Sequence, residues 1–176
     1  MNEYTAKDFK KGQPRWCPGC GDHFFLASLH KAMAEIGKAP WETAVISGIG
    51  CSSRLPYYMN TYAMQTIHGR AAAISTGAKV TNPNLAVWQI SGDGDGLAIG
   101  GNHFIHAVRR NIDLNMILLN NRIYGLTNPR RHRPAALSAS HRPTAPWRIL
   151  FIPLNCASAH ADVSSHAPLP PMLPAR

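Results

Sequence analysis

One aspartate between glycines, one asparagine pair and three cysteines carry most of the chemistry this chain can offer. Gly92-Asp93-Gly94 is followed, after twenty-five residues, by Asn120-Asn121. A carboxylate oxygen suits a hard divalent cation, and Mg²⁺ takes about six oxygens, several of them commonly from phosphates. One carboxylate, one amide oxygen and one backbone carbonyl would leave room for a diphosphate. Glycine at 92, 94 and 96 lets the main chain approach such a ligand closely. Taken alone, Gly-Asp-Gly marks many ordinary turns, and Asn-Asn is common in loops. Here each pattern stands at the end of an apolar run, and that pairing is what points to a metal and diphosphate site.

Cys17 and Cys20 form a tight Cys-x-x-Cys, and Cys51 sits in Gly-Ile-Gly-Cys-Ser-Ser after a short apolar strand. A [4Fe-4S] cluster is held by four thiolates and a structural zinc by four ligands, so three cysteines are an incomplete set for either. A Cys-x-x-Cys alone also fits a redox dithiol or half of a zinc ribbon, although no second such pair is present to complete a ribbon. His103 and His106 stand three residues apart like a metal pair, but without a glutamate partner they read as packing or solvent-facing residues. His68 reads equally well as a satisfied core histidine.

These residues need a scaffold that brings strand ends together. Leu85 to Ser91 and Asn115 to Leu119 read as buried strands, as does Ala44 to Ser47. Helical spacing predicts a helix over Phe24 to Ile36, with Phe25, Leu29, Met33 and Ile36 on one face. Further helices are predicted over Ala71 to Lys79 and Gly100 to Arg110, the latter with Ile99, Phe104, Ile105 and Val108 near one face. Such alternation predicts an α/β fold, a mostly parallel sheet flanked by helices, with its chemistry beyond the carboxyl ends of the strands. Tyr57 to Tyr62 is aromatic and polar, and is expected at a subunit interface.

A chain of 176 residues is long enough for one domain with a real core. No apolar run approaches the ~20 residues of a membrane span and the amino terminus lacks the apolar stretch of a signal peptide, so a cytoplasmic protein is expected. The formal charge of +9 invites a nucleic-acid reading, but it is uneven: residues 1–127 carry +4 and residues 128–176 carry +5. That last segment holds 9 of the 14 prolines, no glycine and no lysine, and its one sustained apolar run is Arg148 to Leu154. Its proline density predicts a poorly packed or disordered tail. A basic module using Arg130, Arg131, Arg133, Arg142 and Arg148 on nucleic acid would lack aromatic platforms beyond Trp147.

Gly-Asp-Gly, about 25 residues, then Asn-Asn is the thiamine diphosphate motif. The longer strings Ser91 to Asn111 and Asn120 to Thr127 resemble the β subunit of 2-oxoacid:ferredoxin oxidoreductases. The resemblance extends through Arg15 to Asp22, Ser47 to Arg54, Pro56 to Tyr62 and Ile67 to Ala71, and covers about residues 10–127. It implies the thiamine diphosphate-binding fold, with a domain over 1–127 that includes iron-sulfur loops. It also implies that Asp93, the Asn121 side chain and the Ile123 carbonyl bind Mg²⁺. Gly94, Asp95, Gly125 and Leu126 would lie along the diphosphate and thiazolium, Leu126 at the reacting end. Ile49, Gly50, Cys51 and Ser52, with His68, Gly69, Arg70 and Ala71, would line the cofactor from other strand ends. Arg54 would contact the substrate carboxylate, because a guanidinium pairs with it through two parallel hydrogen bonds.

By the same resemblance Cys17, Cys20 and Cys51 supply three ligands of a [4Fe-4S] cluster, whose fourth lies further along in family members. Cys156 stands in the divergent tail, without the family's surroundings. The implied reaction is coenzyme A-dependent oxidative decarboxylation of a 2-oxoacid with electrons passed to ferredoxin. The pattern from Cys51 to Tyr62 leans toward 2-oxoglutarate over pyruvate and branched 2-oxoacids. An α subunit would supply the carboxylate that activates the aminopyrimidine, so the chain is expected to be inactive alone. Another thiamine-dependent decarboxylase or synthase would share the Gly-Asp-Gly to Asn-Asn pattern but has no need of the three cysteines, and a brown chromophore would separate the two. After Thr127 the chain departs from the family pattern, and residues 128–176 are expected to be a disordered or frameshifted segment. Translation of the underlying DNA in the other two frames tests the frameshift: neither frame restoring the family's continuation would end that idea.

Overall fold

The computed structural model describes residues 3–121, 123–124, 130–131 and 148–153. Its frame is a five-stranded, wholly parallel sheet in the order β2-β1-β3-β4-β7. The strands are β1 (Thr43–Ser47), β2 (Tyr62–Gln65), β3 (Ala86–Gly92), β4 (Asn115–Asn120) and β7 (Arg148–Pro153). Two short strands, β5 (Ile123–Tyr124) and β6 (Arg130–Arg131), pair antiparallel beside it. The helices are α1 (Gly21–Ile36), α2 (Ala71–Thr81) and α3 (Gly101–Arg109).

Successive strand residues point to opposite faces, and here both faces are covered. Val45, Ile90, Ile117 and Leu119 pack with Phe25, Leu26, Leu29 and Met33 of α1, joined by Phe9, Trp16, Leu55, Tyr58 and Met59. Ile46, Val87, Met116 and Leu118 pack on the other side with Ala72 of α2 and with Phe104 and Ala107 of α3. Full burial of each such large aliphatic or aromatic side chain contributes about 1.5–3 kcal/mol, which is why the central strands read as near-continuous apolar runs.

The predicted strands and helices appear with small shifts. Helix α1 starts at Gly21, three residues before its apolar period begins, because Cys20 takes an extended conformation as N-cap. It ends where Gly37 adopts φ 75° and donates its N–H to the Ala34 carbonyl, the left-handed stop that glycine permits. Ile36, expected on the buried face, is 53% exposed. A π turn over Gly94–Ile99 precedes α3 and closes with the Gly100 N–H on the Asp95 carbonyl at 2.9 Å. The wider turn resets the helical phase, so Phe104, Ala107 and Val108 face the sheet while Ile99 and Ile105 stay exposed.

Two strands depart from what the sequence predicts. Strand β2 is exposed over Tyr62, Ala63 and Met64, and is a strand because it pairs with β1 at the sheet edge. Strand β7 coincides with the one apolar run of the 128–176 segment and pairs with β4 over six residues. Most of that segment lies outside the described residues.

His30 faces the core from α1, its Nε2 3.3 Å from the Tyr58 carbonyl. Burial holds its pKa below the ordinary histidine value. The unfolded chain therefore takes a proton that the native chain resists, and stability must fall on acidification. The contribution is fully present above about pH 6.5 and is lost as the pH falls through the depressed native value. His30→Gln is expected to flatten the stability profile between about pH 7 and 5, read by urea unfolding at each pH.

Candidate functional site

In a parallel sheet every strand delivers its following loop to the same edge. Here the chain leaves β1 toward β2 and leaves β3 toward β4, so the order reverses between β1 and β3. A crevice opens at such a point beyond the carboxyl ends. The loops that meet there hold the residues the sequence singled out.

Asp93 follows β3 directly and is 1% exposed. Register places Gly92 opposite Leu119, so Asp93 emerges beside the end of β4. The Asn121 N–H donates to Asp93 Oδ1 at 3.3 Å, joining the two oxygen-bearing motifs by a hydrogen bond. Gly94 is buried behind them as the first residue of the π turn. Ile123 opens β5 two residues beyond Asn121. Gly125, Leu126 and Cys156 lie outside the described residues.

Asp95 is 5% exposed and its side chain serves backbone groups. Its Oδ1 accepts the Gly69 N–H at 2.7 Å and the Ile49 N–H at 3.2 Å, tying the loops after β2 and β1 to the loop after β3. Ile49 and Gly50 are half-buried; Gly50, at φ 131°, has nothing within 4 Å of where a Cβ would stand, so its main chain borders open space. Ser52 is 6% exposed, its Oγ 3.4 Å from a Cβ placed on Gly92. His68 is exposed, and the Arg70 guanidinium donates to its carbonyl at 3.2 Å, while Ala71 is buried at the start of α2. The sequence pattern gave no sign of the Asp95 tie, because it is made to backbone amides of loops 26 and 46 residues away.

The cysteine segments are also joined. The Trp16 indole N–H donates to the Cys51 carbonyl at 2.6 Å, and the Arg54 N–H reaches the same oxygen at 3.2 Å. Arg54 lies exposed on the 3-10 turn Ser52–Tyr58, its guanidinium 3.4 Å from the Arg15 carbonyl. Cys17 and Cys20 close a tight turn, with the Cys20 N–H on the Cys17 carbonyl. The Cys20 thiol lies 3.5 Å from Asp22, a carboxyl whose pKa burial pushes up. Cys17 and Cys51 are exposed and Cys20 is half-buried. Among the described residues no three His, Cys, Asp or Glu side chains converge as a metal site would require, the three thiols and the His103–His106 pair included. Trp16→Phe is expected to cost about 1–2 kcal/mol by removing a buried donor, read as a lowered midpoint in urea unfolding.

The donor chemistry at the carboxyl edge fits Mg²⁺ and a diphosphate: a buried carboxyl after β3, an asparagine at the end of β4, and, in the loop after β1, the Gly50 main chain bordering open space. The cysteine region offers three of the four thiols a [4Fe-4S] cluster takes, on segments held together by Trp16 but not drawn to one point.

Comparison with known proteins agrees with this arrangement. The family model for the thiamine pyrophosphate enzyme, C-terminal TPP binding domain, matches residues 48–161. The chain is 48% identical over 154 residues to the 2-oxoglutarate oxidoreductase subunit KorB of Mycobacterium tuberculosis, covering 87% of this chain and 41% of that one. It is 51% identical over 112 residues to the β subunit of 2-oxoacid:ferredoxin oxidoreductase 1 of Aeropyrum pernix, covering 64% and 35%. Among solved structures, the 2-oxoglutarate:ferredoxin oxidoreductase of Magnetococcus marinus, with 2-oxoglutarate, coenzyme A and succinyl-CoA bound, matches with a TM-score of 0.71 at 46% identity. That match covers 74% of this chain and 45% of the other, so the chain spans less than half the length of each of these relatives. With its parallel sheet, its Asp93–Asn121 junction and a family match over residues 48–161, the chain belongs to the C-terminal, TPP-binding domain family of thiamine pyrophosphate enzymes.

Proposed function

We propose that this chain is the thiamine diphosphate-binding β subunit of a 2-oxoacid:ferredoxin oxidoreductase, taking part in coenzyme A-dependent oxidative decarboxylation with 2-oxoglutarate as the favoured substrate. The observation that carries this reading is the Asp93–Asn121 junction at the carboxyl edge of the sheet, in a chain related to subunits of that name. When bound, thiamine diphosphate supplies the carbanion chemistry by which a 2-oxoacid loses carbon dioxide.

The chain's own residues bind and orient. Asp93, the Asn121 side chain and the Ile123 carbonyl hold Mg²⁺. Gly94, Gly125 and Leu126 lie along the cofactor, and Asp95 holds the neighbouring loops. Ile49 to Ser52 and His68 to Ala71 form the walls. Arg54, exposed and with its guanidinium bonded only to the Arg15 carbonyl among the described residues, turns from Arg15 to the substrate carboxylate. Cys17, Cys20 and Cys51 would supply three ligands of a [4Fe-4S] cluster, a group whose chemistry is single-electron transfer toward ferredoxin, although the three thiols do not converge among the described residues. An α subunit completes the site. The composition changes at residue 128, and a frameshift would account for the proline-rich stretches beyond it, while β7 within that segment still pairs with β4 in the sheet.

Anaerobic co-production of the chain with the α subunit of a related oxidoreductase tests this reading. The complex is expected to be brown and to reduce ferredoxin with coenzyme A and 2-oxoglutarate faster than with pyruvate. A stable complex that binds thiamine diphosphate yet oxidises no 2-oxoacid would refute it.

A further inference from the structure

Asp95 is surrounded by glycines that keep the space around it clear. A Cβ on Gly48 would fall inside the Asp95 carboxyl group. A Cβ on Gly100 would stand 2.6 Å from the Asp95 carbonyl oxygen, which accepts the Gly100 N–H. Gly69, whose N–H bonds Oδ1, sits at φ 67° with Gly100 pressed against it. Both ends of this residue are therefore engaged: the main chain closes the π turn and the side chain gathers the Ile49 and Gly69 amides.

We infer that Asp95 is a positioning residue, a latch that binds the Gly48–Cys51 loop, the His68–Arg70 loop and the turn behind Asp93 into one rigid cradle. Its consequence for function rests on the reading proposed above. The loop that carries the thiol of Cys51 and the turn that carries Asp93 keep a fixed mutual position because Asp95 bonds the residue two before Cys51. A carbonyl oxygen can accept both amides, so the latch needs an acceptor of this reach and not a charge. A group acting directly on a diphosphate or metal would depend on the charge instead.

Site-resolved hydrogen exchange on the 176-residue chain tests the latch. In Asp95→Ala the Ile49 and Gly69 amides are expected to exchange together at least about tenfold faster, while the Val45, Ile90 and Leu118 amides stay within about threefold. Asp95→Asn is expected to keep both loop amides within about threefold of wild type. Gly48→Ala, which pushes the carboxyl aside, is expected to release the same two amides with Asp95 intact. Thiamine diphosphate affinity of the complex with the α subunit, in the presence of Mg²⁺, is expected to fall at least about tenfold in Asp95→Ala and to hold within about threefold in Asp95→Asn. The inference is overturned if the two amides respond separately or not at all, or if the strand amides accelerate equally. It is also overturned if Asp95→Asn behaves as Asp95→Ala does. Should Asp95→Ala fail to fold, Gly48→Ala and Asp95→Asn decide by the same criteria. Wild-type chain with both amides protected, whose complex with the α subunit takes up no thiamine diphosphate, would overturn the proposed function and leave the latch standing.

Discussion

Replacing Asp93 with alanine is expected to weaken Mg²⁺-dependent thiamine diphosphate binding at least about 100-fold, a loss of roughly 2.7 kcal/mol. The residue is 1% exposed at the end of β3, and its Oδ1 receives the Asn121 N–H. Removing the carboxyl takes away both the oxygen proposed to hold Mg²⁺ and the bond that aligns the β4 end with it. Asp93→Asn keeps the shape and a carbonyl acceptor while removing the charge, so it should fold normally and still bind poorly. Calorimetric titration of both variants, with circular dichroism as the folding control, checks this. Affinity retained in Asp93→Ala would remove the residue from the metal site.

Gly69→Ala is expected to destabilise the fold by roughly 2–5 kcal/mol, the sum of a left-handed backbone cost and overpacking. Gly69 sits at φ 67°, and a Cβ there would stand 2.6 Å from the nitrogen and Cα of Gly100. Backbone cannot yield as a flexible side-chain end does, so the loop after β2 must lift away from the π turn. That movement would also pull the Gly69 amide from Asp95, 2.7 Å away in the native chain. Urea unfolding should show the loss, and cofactor affinity measured under folding conditions should fall with it. Gly77→Ala is the contrasting control, because nothing lies within 4 Å of the added carbon and the residue sits in helix α2.

Much of the fold is legible in the sequence because apolar period and burial coincide. Met116, Ile117, Leu118 and Leu119 are all at most 3% exposed, and a run of that kind has few homes other than a sheet covered on both faces. Strand β2 was not legible. Its residues are mostly exposed, and it owes its conformation to pairing with β1, a contact no local period encodes. The π turn was hidden for a related reason: one extra residue per turn leaves the composition unchanged and only shifts which face Phe104, Ile105 and Ala107 present.

At the site, Asp93 and Asn121 were legible as a pair because oxygen-bearing side chains at two strand ends form a spaced pattern, and a hydrogen bond joins them in the structure. The Asp95 tie and the Trp16–Cys51 bond were not, since each joins a side chain to a backbone group far along the chain. Resemblance put Asp95 along the diphosphate, and the structure shows its Oδ1 engaged by the Ile49 and Gly69 amides. Gly48 illustrates the same limit. In sequence it is one glycine among several, and its necessity appears only when the Asp95 carboxyl is seen to occupy the space a Cβ would need.

The most direct measurement is a calorimetric titration of the anaerobically produced complex of this chain with the α subunit of a related oxidoreductase, using thiamine diphosphate with and without Mg²⁺, alongside the same complex carrying Asp93→Ala. The expected result is binding that requires Mg²⁺ and is lost in the variant. A stable wild-type complex that takes up no thiamine diphosphate, or binds it equally well without Mg²⁺ and without Asp93, would contradict the assignment of the β3–β4 edge as the cofactor site.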